Sequence, residues 1–167
     1  MKDERERGIQ YLKIVSEKGR YSKDEAKFAL IEIYYFEDRY EEALLECEAI
    51  REKYSCDPTW LYLTAKINDK LSQWESAKQH FITLLAILEN APYKSNGYLA
   101  ECHNGIAKCA FELNDVLTAR AELDVAFQFS ELWDKKKEIE GPLLDFEKVL
   151  DQIKKLDKEL TKLQNSK

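Results

Sequence analysis

Ala43 and Ala77 stand 34 residues apart, and the residues that follow them keep one spacing: Ala43, Cys47 and Ile50, then Ala77, Phe81 and Leu84. Each set lies on one face of a helix at i, i+4 and i+7. Self-similarity at this period is the signature of stacked helix-turn-helix units. Such a unit cannot bury its apolar face alone, so neighbours must stack and leave an extended surface for binding.

Helix signals fill the chain. A first helix is expected from about Asp3 to Lys18, with Ile9, Leu12 and Ile14 or Val15 as its stripe and Gly19 as its stop. Ser22 to Glu25 has the form of a capping box. A second helix then passes through Phe28, Leu30, Ile31 and Tyr34 to about Glu37. Asp38-Arg39 turns the chain into a third, about Tyr40 to Tyr54. Asp57-Pro58 opens a fourth, with an acceptor at the N-cap and proline at the first helical position. Ser72 to Glu75 reads as a second capping box, before a fifth helix ending near Asn90. Residues 90–97 have loop composition, with Pro92 and Tyr93. The loop reads as a tolerated surface insertion; the alternative is a loop that contributes to binding. A sixth helix covers about Tyr98 to Leu113 and a seventh about Val116 to Ser130. Gly141-Pro142 breaks the pattern before a last helix, about Leu143 to Leu163. No useful strand alternation occurs, so the fold class is all-α.

A chain of 167 residues with 44% apolar composition can bury a real core. The 35% charged share suits helices with solvated outer faces. A net charge of −6 argues against nucleic acid as partner, since phosphate binding needs a basic stripe. Lys135-Lys136-Lys137 lies between Asp134 and Glu138 and reads as a solvated helix end. The segment MKDERERG has no apolar signal region. Phe81 to Leu88 is too short to span a bilayer, so no membrane is expected. Cys47, Cys56, Cys102 and Cys109 form no CxxC pair, and Cys47 and Cys109 fall at core positions. This usage fits a reducing, cytoplasmic setting.

Chemistry-bearing motifs are missing. No Gly-rich phosphate loop, HExxH or GxSxG occurs. His80 is expected at the surface. Cys102 and Cys109 share a helix face, but His103 points about 100° away, so no metal site is expected. Glu41 and Glu42 are adjacent on a helix and cannot converge on one reacting atom. The expectation is a non-catalytic protein with no cofactor.

Around Tyr40-Glu41-Glu42-Ala43-Leu44 the chain resembles a tetratricopeptide repeat. Matching residues are Leu30, Tyr34, Ala43, Cys47 and Ile50; then Trp60, Leu63, Thr64, Ala77, Phe81 and Leu84; then Ile106, Ala107, Ala119, Leu123 and Ala126. The resemblance spans roughly residues 4 to 130. It implies a right-handed helix-turn-helix solenoid over 1–142, with a half repeat at 3–19 and repeats near 22–55, 57–90 and 97–130. Residues 143–167 then form a separate C-terminal helix. The first helix resembles a lone second helix of a repeat: either it caps the array, or the chain is the C-terminal part of a longer repeat protein. Ile31 stands where the family prefers a small residue, and His103 and Ala110 replace its large residues in the third repeat.

The resemblance also implies a concave groove lined by Phe28, Glu32, Tyr35, Phe36, Leu61, Asn68, Asp69, Asn104, Lys108 and Phe111, with Ala65 among them. Too few cations are present for a clamp on a chaperone carboxylate. Aromatics beside Glu32 and Asp69 favour a protein or peptide partner that is apolar or basic. The plainer reading of Phe28 and Phe111 is core, because aromatics at helical spacing are mostly buried. The expected function is a protein–protein interaction scaffold. The alternative is an assembly unit, either part of a longer array or a homodimer through Phe146, Val149, Ile153, Leu156, Leu160 and Leu163. These six recur at 3 and 4 residues, a coiled-coil spacing, and equally suit a helix that caps the last repeat.

The alanines let paired helices approach closely. Ala77→Leu is therefore expected to overpack that contact and lower stability by about 1–3 kcal/mol in chemical denaturation.

Overall fold

The computed structural model describes residues 2–51, 53–134, 136–138, 143 and 145–165. These form α1 (Lys2–Lys18), α2 (Lys23–Phe36), α3 (Tyr40–Arg51), α4 (Pro58–Lys70), α5 (Trp74–Glu89), α6 (Asn96–Glu112), α7 (Val116–Leu132) and α8 (Phe146–Asn165). Helices pack mainly on their sequence neighbours, in a repeat-like arrangement. The chain divides into two compact units, residues 1–54 and 55–167. Lys135 and the Gly141-Pro142 break lie outside the described residues. Among those described, no helix is long and apolar enough to cross a membrane.

The corners of α2–α3, α4–α5 and α6–α7 are built alike. Asp38, Ser72 and Asn114 have φ of 58°, 58° and 62°. The next residue in each case donates its N–H to a carbonyl five residues back: Arg39 to Tyr34 at 2.8 Å, Gln73 to Asn68 at 2.9 Å, Asp115 to Ala110 at 2.8 Å. This is the Schellman arrangement, in which one left-handed residue lets the helix C-terminus bond its own last carbonyls. Five residues after each left-handed residue comes Ala43, Ala77 or Ala119, all fully buried. The expected period is thus present in the backbone as well as in the side chains.

Two expected capping boxes are absent. Ser22 makes no side-chain cap bond to α2. Ser72 is not an N-cap: it occupies the left-handed corner, and Gln73 takes the cap position without a side-chain bond. Asp57 does cap α4, accepting from the N–H groups of Thr59 at 2.9 Å and Trp60 at 3.4 Å. Helix α3 ends at Arg51, short of Tyr54. The following turn is held to α2, where Lys53 Nζ bonds Asp24 at 2.6 Å and the Tyr54 hydroxyl donates to the same carboxylate.

Helix α6 begins at Asn96, two residues earlier than expected. Ser95 accepts from the Tyr98 N–H at 3.2 Å, and the Glu138 carboxylate takes the Gly97 N–H at 3.0 Å and the Asn96 side-chain N–H at 2.7 Å. Burial pushes the Glu138 carboxyl up, but these donors outweigh it and hold it below the usual range. An anion at a helix N-terminus also gains from the helix dipole. Gly97 is needed there, since a Cβ would meet the Trp133 ring at 2.8 Å.

Helix α8 starts at Phe146, three residues later than expected, with Asp145 accepting from the Lys148 N–H at 3.0 Å. Phe146, Val149, Ile153, Leu156 and Leu160 are buried in one cluster with Ala107, Ala119 and Leu123, while Leu163 stays 38% exposed. Arg120 Nη1 ties α7 to Asp157 of α8 at 2.6 Å. The apolar stripe of α8 thus covers α6 and α7 of its own chain.

A left-handed conformation strains any residue with a Cβ. Ser72→Gly is expected to raise stability by about 0.5–1 kcal/mol, less than the full strain because glycine also loosens the unfolded chain. A rise in melting temperature checks it.

Candidate functional site

Within residues 1–54, α2 buries Ala26, Leu30, Ile31, Tyr34 and Tyr35. Its Ala29, Glu32, Ile33 and Phe36 lie at i, i+3, i+4 and i+7 and line a different face. With Arg5 of α1 and Glu37, they bound an open cleft of about 620 Å³. Arg5 Nη1 bonds Glu37 at 2.9 Å across its rim. Phe36 is 65% exposed, and Tyr35 packs edge-on against it at 5.7 Å between ring centres. Glu32 is half-buried, and burial pushes its carboxyl above the usual range. No hydrogen bond or ion pair engages it among the described residues. A carboxylate held in partly apolar surroundings without a cation is an incomplete arrangement, since desolvation is offset only by a partner.

Of the ten groove residues expected, Glu32 and Phe36 line this cleft, Tyr35 is buried behind Phe36, and Phe28 is half-buried.

The other six lie in residues 55–167, on α4, α6 and their faces. There the structure brings Asp69 and Lys108 together at 2.7 Å, with the Lys108 ammonium 5.3 Å from the Trp74 ring. Leu61 is buried, and Asn68 is buried with its amide N–H donating to the Thr64 carbonyl at 2.9 Å. Asn104 is buried too, its Oδ1 without a partner among the described residues. Phe111 packs half-buried against the cluster beneath α8. Of these six, Asp69 and Lys108 join α4 to α6.

The strongest polar feature here carries no sequence periodicity. Glu101 Oε1 accepts from the Tyr62 hydroxyl at 2.8 Å and from Lys66 Nζ at 3.0 Å. The Lys66 and Glu101 side chains are only 8% and 3% exposed. The Tyr62 ring also meets Tyr98 edge-on at 5.4 Å. Nearby on α6, His103 Nδ1 lies 2.7 Å from Glu122 and its ring stacks on Phe129. Burial pushes the Cys109 thiol up to about 12 and Cys102 well above the usual range, so neither is an available nucleophile near neutral pH. Tyr93 is 92% exposed on the loop between α5 and α6. Among the described residues, no group of three His, Cys, Asp or Glu side chains is placed to hold a metal ion.

No protein-family model matches the sequence, and no curated protein matches it significantly.

A buried ion pair costs most when one member is removed. Glu101→Ala takes the carboxylate away from a buried lysine, and a loss of about 3–5 kcal/mol is expected in urea denaturation. A double change, Glu101→Leu with Lys66→Met, is expected to recover most of it, because an apolar replacement removes the desolvation cost as well as the pair.

Proposed function

We propose that this protein is a non-catalytic protein–protein interaction scaffold of the tetratricopeptide-repeat type. It binds a peptide or helix of a partner protein, apolar with basic residues. The observation that carries this reading is the cleft between α1 and α2, where an exposed phenylalanine stands beside a half-buried carboxylate, Glu32, while the one arginine lining the cleft, Arg5, is bound to Glu37. Aromatic side chains at the centre of a contact contribute most of its energy. An acid that lacks a cation favours a basic partner and disfavours an acidic one.

Three like-built corners with an alanine five residues on support the repeat assignment. A scaffold of this kind needs no reaction centre, only a rigid face held by stacked hairpins.

Affinity capture with the full chain as bait tests the reading. A Phe36→Ala/Glu32→Ala variant is expected to lose a specific partner by about tenfold or more, as truncation of a central aromatic anchor does. A Tyr93→Ala variant is expected to retain it. Equal recovery by parent and cleft variant, both folded by circular dichroism, overturns the assignment of the cleft.

A further inference from the structure

We infer that the cleft of α1 and α2 seats an amphipathic α-helix with two basic residues three positions apart, bound as α4 binds α6. This rests on the cleft being the partner site. The argument comes from the repeat register set by the left-handed corners. Lys108 lies six residues before Asn114 and Glu32 six residues before Asp38; Glu101 lies thirteen before Asn114 and Glu25 thirteen before Asp38. Glu32 and Glu25 on α2 therefore hold the places that Lys108 and Glu101 hold on α6.

On α6, both places face α4. Glu101 receives Lys66, and Lys108 receives Asp69 three residues further along. On α2, Glu32 lines the open cleft, Glu25 is exposed, and neither has a partner among the described residues. The first helix does not fill the seat: Arg5 reaches the cleft, but it is engaged with Glu37. The sign of one pair is reversed. An occupant keeps a cation in the place of Lys66 to meet Glu25, and needs a cation instead of Asp69 to meet Glu32.

The chain's own α4 segment is thus one substitution away from a matching probe. A fluorescein-labelled peptide of residues 57–73 carrying Asp69→Lys, its unsubstituted parent, and an Ala65→Pro form of the lysine peptide are titrated against the full-length protein by fluorescence anisotropy. The lysine peptide is expected to bind about tenfold or more tightly than the parent, within the range measured for close interfacial charge pairs. The proline form is expected to lose binding, because it cannot form the helix. Glu32→Gln is expected to abolish the preference and Glu32→Lys to reverse it towards the parent peptide.

Equal affinity of the two charged peptides, or a preference unmoved by Glu32→Lys, overturns the inference. If that binding is still lost in Phe36→Ala, the cleft remains a partner site and only the helix register fails. Binding insensitive to Phe36→Ala removes the cleft reading as well. No binding of any peptide also overturns the inference, whereas the capture experiment judges the cleft separately. A doubled solution mass that Phe36→Ala abolishes makes a second copy the occupant and overturns it too.

Discussion

Two helices joined by so short a corner can lie against each other only where one presents almost no side chain. That close approach governs the whole structure. Ala43, Ala77 and Ala119 supply it, each fully buried and each at the same distance from a left-handed residue. The corner sets the direction in which the second helix leaves, and the alanine sets how near it returns. Phe81 shows how tight the layer then becomes: a Cβ on Gly105 would meet its ring at 2.6 Å. In a core packed this closely, shape is fixed by volume as much as by hydrophobicity.

The repeats were legible because small residues at a fixed period leave a mark in sequence. The eight helices among the described residues could be read from apolar spacing, turns and Asp57-Pro58. The capping boxes failed for a physical reason. Ser72 and Glu75 have the right spacing, but the helix before them must close its own carbonyls, and that forces Ser72 into the left-handed region instead of the extended N-cap conformation. The apolar stripe of α8 was visible, yet its spacing suits a partner copy and the chain's own hairpin equally well. The structure lays it on α6 and α7, so a dimer through the same residues would have to draw α8 away from its own core.

The residues of the candidate cleft were legible in part. Glu32 and Phe36 emerged from placing the first helix of each repeat around a groove. Tyr35 and Asn68, assigned to the same groove, are buried. The buried Glu101, Lys66 and Tyr62 were missed altogether, because polar residues normally mark the solvent side of a helix. Helix α6 defeats that rule by burying Glu101, His103 and Asn104 along with its apolar residues. Only the positions of neighbouring helices reveal that the charges answer one another.

The location of α8 has a consequence for how the molecule assembles. Each hairpin closes through contacts close in sequence, so little loop entropy is lost in forming it. Helix α8 is different. Its stripe has nothing to cover until α6 and α7 have met, and Arg120 reaches Asp157 across 37 residues of chain. Helix α8 therefore acts as a latch on the hairpin it covers. While a growing chain still lacks α8, the faces of α6 and α7 beneath it remain open to water.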